Sequence, residues 1–173
     1  MLTDLNSIVS QVKEAEINDF KNMIYNSKRL FFAGTGRSGL MIKAVAMRFM
    51  QFGFEVYVVG ETNTPAFKQD DLLIAVSGSG ETKSTVLCLG NAKVNGGKTA
   101  VFTADSNSTL AQISDQIIEI PVNKIFSEKE KFLPGGSYFE EAVLILGDSL
   151  IVEIASERNI SNDQLFERHA NLE

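Results

Sequence analysis

Ser77-Gly78-Ser79-Gly80-Glu81-Thr82 places three hydroxyl side chains and two glycines within six residues. Each hydroxyl can donate a hydrogen bond, and glycine lets the backbone close on a bound group. The segment follows Leu72-Leu73-Ile74-Ala75-Val76, an unbroken apolar run that reads as a strand buried on both faces of a parallel sheet. It precedes Lys83 to Asn95, which has the length and composition of a helix. A loop at that junction offers free backbone N–H groups and the positive end of the helix dipole. The chemistry implied is a phosphate cradle. The plainer alternative is that Ser79 or Thr82 simply caps the helix, but the hydroxyl and glycine content exceeds what a cap requires.

A second loop of this kind is Gly34-Thr35-Gly36-Arg37-Ser38-Gly39. Its glycines match a dinucleotide fingerprint, but the acidic residue that should then hold a ribose has only Glu61 to offer, which fits poorly beyond its strand. Tight strand-to-helix turns explain the same glycines without a ligand. Ser137-Tyr138-Phe139-Glu140 fits a capping box, with Ser137 as N-cap and Glu140 at N3, and it puts that carboxylate at another helix mouth. His169 is the only histidine, and on a terminal helix a surface or packing role is the ordinary one. Cys88 reads as a small buried hydrophobe, and Arg48 as a residue that snorkels or pairs with an acid.

Strands and helices alternate around these loops. Leu2 to Ser27 reads as one N-terminal helix, with Leu5, Ile8, Val9, Val12 and Ala15 at helical spacing. Strands are expected over 29–33, 55–59, 72–76, 99–103 and 116–120. Helices are expected over 40–52 and 83–95, near Leu110, over 137–157, and over 163–172 with Ser161 or Asn162 as cap. Residues 122–136 read as a mostly irregular loop. This order implies an α/β fold, a five-stranded parallel sheet with helices on both faces, in which ligands bind beyond the carboxyl ends of the strands. The loops at 34–39, 60–65 and 77–82 all fall at that end.

The chain has 173 residues, enough for one domain with a full core. A net charge of −6 argues against nucleic acid or an anionic membrane as the main partner, though not against a small phosphate bound by neutral donors. One cysteine rules out an intrachain disulfide and suits a reducing compartment. Residues 1–27 show no signal peptide, and no apolar stretch is long enough to span a bilayer, so the expected location is cytoplasmic. A single His and a single Cys give no clustered soft metal site.

The first strand closed by Gly34-x-Gly-x-Ser38, together with the third closed by Ser77 to Thr82, resembles the SIS (sugar isomerase) domain. The chain is similar, more narrowly, to the 6-phospho-3-hexuloisomerase family. That likeness is carried by Ala33 to Gly39, Ala46-Met47-Arg48, Gly60 to Pro65, Leu133 to Glu140, and Arg168-His169-Ala170-Asn171-Leu172-Glu173. The resemblance implies a three-layer αβα sandwich, doubly wound in the flavodoxin-like manner. It implies interconversion of D-arabino-3-hexulose 6-phosphate and fructose 6-phosphate through a 2,3-enediol, with no metal or cofactor. It also implies a homo-oligomer, a tetramer, and a functional link to hexulose-6-phosphate synthase in the ribulose monophosphate pathway.

Residue by residue, Glu140 matches the family's general base and His169 a histidine supplied to a neighbour's site. Ser38, Ser77, Ser79 and Thr82 match phosphate and sugar positions, and Gly78, Gly80, Glu81, Arg37 and Glu61 complete the expected substrate contacts. Gly135 and Glu141 depart from the family, where relatives often carry Met and Gln. The extra charge at Glu141 is expected to raise the neighbouring carboxyl's pKa. The alternatives are another phosphosugar isomerase, of the arabinose-5-phosphate type, and a non-catalytic sugar-phosphate-binding module. The first usually carries appended regulatory domains and sugar-phosphate-sensing regulators an N-terminal helix-turn-helix, neither of which is expected from this chain, while a catalytically silent binding module stays open.

Overall fold

The computed structural model describes residues 1–122 and 137–172. Helices α1 (Leu2–Val9) and α2 (Glu14–Tyr25) precede strand β1 (Arg29–Gly34), helix α3 (Gly36–Gln51) and the short strand β2 (Val56–Val58). Then come β3 (Asp71–Val76), α4 (Lys83–Val94), β4 (Lys98–Thr103), α5 (Thr109–Ile113) and β5 (Gln116–Glu119). Helices α6 (Ser137–Glu157) and α7 (Asn162–Glu167) close the chain. The five strands are parallel throughout and lie in the order β2-β1-β3-β4-β5.

Both faces of the sheet are buried, as a parallel sheet requires. Leu30 and Phe32 of β1, Leu72 and Ile74 of β3, and Phe102 of β4 face the larger core, with side chains of α1, α2, α3 and α6. Their alternates Phe31, Ala33, Leu73, Ala75 and Val101 face the core under α4 and α5. At the amino ends of the strands, the buried Asp71 carboxylate accepts from Arg29 at 2.6 and 2.8 Å, so the one charge in β3 is matched.

The expected single N-terminal helix is two. Ser10 ends α1, its hydroxyl donating to the Ser7 carbonyl at 3.2 Å while the Gln11 amide donates to the same oxygen at 3.1 Å. These side chains compete for carbonyls that a continuing helix would use. Lys13 is extended and starts α2 afresh, with Glu14 and Glu16 in the first turn where the dipole favours acids. The last helix is shorter than expected. It begins with a capping box between Ser161 and Gln164 and stops at Arg168. The expected loop over 122–136, apart from Val122, lies outside the described residues, as do Gly135 and Glu173.

Two features position the site. The chain steps from β1 outward to β2, then returns to β3 and proceeds the other way, so the carboxyl ends of β1 and β3 flank the switch point. Gly34 and Val76 are register partners there, which sets the two following loops side by side. Helices α3 and α6 run side by side in the same direction. A Cβ on Gly147 would lie 2.5 Å from Val45, and seven residues earlier on each helix Glu140 meets Ser38. Glycine at 147 permits the close approach that brings the two helix mouths together.

Candidate active site

The loop from Ser77 to Thr82 is folded by its own donors. The Gly80 N–H donates to the Ser77 hydroxyl at 3.1 Å, and the Ser77 and Thr82 hydroxyl oxygens lie 3.0 Å apart. Gly80 has a φ of 66° and a Cβ there would overlap the Ser108 hydroxyl, so only glycine fits. Thr82 is the N-cap of α4, and Thr35 the N-cap of α3, yet neither side chain makes a capping bond. The Thr35 hydroxyl instead meets that of Ser84 at 3.0 Å and ties the two mouths together. Two helix N-termini thus lie side by side without side-chain caps, with the exposed Ser79 and the half-buried Thr82 in the loop that opens one of them. That arrangement suits an anion.

Glu140, in the first turn of α6, is buried, with 6% of its surface exposed. Its Oε1 accepts from the Ser38 hydroxyl at 3.1 Å. Its Oε2 is buried and has no hydrogen-bond partner among the described residues, with the Arg37 Nε 3.8 Å away. Burial pushes this carboxyl above its ordinary value. The Ser38 hydroxyl, the residue's own backbone N–H and Arg37 oppose the shift, and the like charge of Glu141 adds to it. A Cβ on Gly78 would touch the Phe139 ring at 3.2 Å, so the residue before Glu140 packs on the cradle. A held, partly desolvated carboxylate with one oxygen free of hydrogen bonds can take up and return a proton.

Of the residues expected in the site, Ser38, Arg37 and Glu140 meet, and the Ser77-to-Thr82 loop adjoins them where Gly78 faces the Phe139 ring. Glu81 lies in the loop, but its carboxylate is bound by the Thr109 N–H at 2.7 Å and hydroxyl at 2.8 Å, which holds its pKa down and fastens α5 to the cradle. Glu61 is exposed and paired with Lys43 at 2.6 Å. His169 is exposed and lines a cavity of about 480 Å³ with Arg48, Phe52, Asp148 and Val152. Those α6 residues lie eight to twelve positions beyond Glu140, about 12–18 Å along the helix. Within one chain, His169 and Glu140 are not brought together.

Thr35, Ser84 and Glu141 also belong to this region. Glu141 accepts from Arg37 at 2.7 Å. The position of Thr35 just before a helix is a visible signal, whereas Ser84 and the Arg37–Glu141 pair depend on contacts across 49 and 104 residues. Among the described residues no three His, Cys, Asp or Glu side chains gather in a way that would hold a metal ion.

The sequence pattern of the SIS domain matches residues 23–133, a stretch that contains the cradle and stops short of Glu140. The chain is 35% identical to the 3-hexulose-6-phosphate isomerase of Bacillus subtilis over 100% of this chain and 95% of that one. It is 34% identical to the enzyme of the same name from Mycobacterium gastri, over 95% of this chain and 83% of that one. A Methanococcus jannaschii crystal structure, from which a 3-hexulose-6-phosphate isomerase function was inferred, superposes with a TM-score of 0.84. That pair is 34% identical, covering 92% of this chain and 87% of that one.

Proposed function

The chain belongs to the SIS domain family, and on that premise we propose that it interconverts D-arabino-3-hexulose 6-phosphate and D-fructose 6-phosphate. The observation that carries the chemistry is Glu140: a buried carboxylate, fixed at one oxygen by Ser38 and free at the other, beside an anion cradle. The substrate identity rests on the full-length relatives.

The reaction needs one proton moved between adjacent carbons. The phosphate sits on the N–H groups at the mouths of α3 and α4 and on the Ser79 and Thr82 hydroxyls, and its anchorage fixes which carbons face the base. Glu140 takes the proton from C2 while the C3 carbonyl oxygen gains one, giving a 2,3-enediol. Return of the carbon-bound proton to C3, with loss of the proton on O2, leaves the carbonyl at C2. One carboxylate serves both carbon steps. A second group must move protons between the oxygens, and we assign this to His169 of a neighbouring chain. Its exposure, and its distance from Glu140 along its own chain, support that assignment.

The same reading places the protein in the cytoplasm as a homo-oligomer, a tetramer, working with hexulose-6-phosphate synthase in formaldehyde fixation or detoxification through the ribulose monophosphate pathway. Free Cys88 suits a reducing compartment, and no helix of the described residues is long and apolar enough to cross a membrane. Incubation with D-arabino-3-hexulose 6-phosphate tests the function directly: fructose 6-phosphate should form. Ser79→Ala with Thr82→Ala should raise KM, each lost bond to a phosphate dianion costing about 1.5–3 kcal/mol. Absence of product with wild-type protein would remove the proposal, and an unchanged KM in the double variant would place the phosphate elsewhere.

A further inference from the structure

Arg37 stands between two adjacent carboxylates at the mouth of α6. Its Nη2 donates to Glu141 at 2.7 Å, while its Nε stops 3.8 Å from the free Oε2 of Glu140. Closing that gap would convert a proximity into a direct charge-assisted bond. It would also occupy the one oxygen of Glu140 that Ser38 leaves open. The guanidinium is half-exposed, and among the described residues its one hydrogen-bonded contact is the one to Glu141.

We propose that Glu141 is a positioning residue, which tethers Arg37 short of Glu140 and so keeps Oε2 free to carry the substrate proton. The proposal rests on the reading of Glu140 as the base. Among the described residues the charged groups that act on Glu140 are Arg37 from α3 and Glu141 from α6 itself. On the cradle side Glu81 is bound to Thr109, and Lys83 is exposed on α4. Glu141 therefore acts in two separable ways: as a like charge, and as the anchor of the opposite charge. Only the second depends on Arg37.

The test uses the full-length chain with its glutamate side chains labelled with carbon-13, following the titration of the Glu140 carboxyl by NMR. Four forms are compared: wild type, Glu141→Ala, Arg37→Met and the double variant. A released Arg37 closing on Glu140 should lower its midpoint by about one pH unit or more, the size of an opposite charge brought within contact distance. In the Arg37→Met background the same Glu141→Ala change should move it by a small fraction of that, a coupling that only interacting residues show. The acid limb of kcat/KM should move with the midpoint. Equal displacements in both backgrounds would reduce Glu141 to a neighbouring charge, and no displacement would abolish its role; either overturns the proposal. A wild type without isomerase activity would instead overturn the functional reading, while the carboxyl titration would still decide the tether.

Discussion

At Glu140 the loss of solvent opposes ionisation more than the Ser38 hydroxyl and Arg37 favour it. The sign of the consequence follows from proton linkage. The folded carboxyl titrates above its ordinary value, so between the two midpoints the folded state binds more protons than the unfolded one. Its contribution to stability is most favourable below the unfolded midpoint and is lost as pH rises through the folded one. Glu140→Gln should therefore gain stability relative to wild type as pH rises from 4 to 7, measured by urea unfolding across that range. A difference between the two proteins that stays constant with pH would mean that the carboxyl is not shifted. At this scale the loop itself was readable from sequence, because glycines and small hydroxyl residues between a buried apolar strand and a helical stretch mark a tight strand-to-helix turn. The bonds from Thr109 that occupy Glu81 were not, since they join residues 28 positions apart whose meeting depends on how α5 docks.

Helices α3 and α6 carry Ser38 and Glu140 to each other, and the contact of Gly147 with Val45 sets their spacing. Gly147→Ala adds a methyl group 2.5 Å from a branched side chain within a packed interface. Overpacking of this kind costs about 1–3 kcal/mol, which outweighs the gain of about 1 kcal/mol from replacing glycine in a helix. The variant should thus be less stable in chemical denaturation, and Val45→Ala should restore it. A gain in stability from Gly147→Ala alone would show that the helices part without cost. Periodicity and apolar runs located all five strands and the 21-residue α6. They missed the break between α1 and α2, because Ser10 and Gln11 end the helix through side-chain bonds to one carbonyl while the apolar spacing continues across it.

For the whole molecule, the informative residues are apolar ones left outside. Leu40 and Met47 on α3 are 64% and 44% exposed, and Ile145 and Val152 on α6 are 40% and 64% exposed. Each pair is seven residues apart, two helical turns, so each forms one stripe along its helix. Most of the remaining α6 apolar surface, including Val143, Leu150, Ile151 and Ile154, is already buried within the chain, and Leu144 is partly buried. An apolar face on two neighbouring helices is the surface expected to meet another copy. Sedimentation at micromolar concentration should show an assembly larger than the monomer. Leu40→Glu with Val152→Glu should dissociate it while leaving the far-ultraviolet circular dichroism unchanged. A monomeric wild type would contradict this expectation and leave His169 without a neighbour's site to enter.

If Glu140 moves the proton, the turnover of Glu140→Gln must collapse. Gln preserves the shape of the side chain and can still accept from Ser38, so the fold and sugar-phosphate binding should persist. Removal of a general base should lower kcat for conversion of D-arabino-3-hexulose 6-phosphate by about 10²–10⁴-fold. Near-normal turnover by that variant, with the sugar phosphate still bound, would show that the base lies elsewhere.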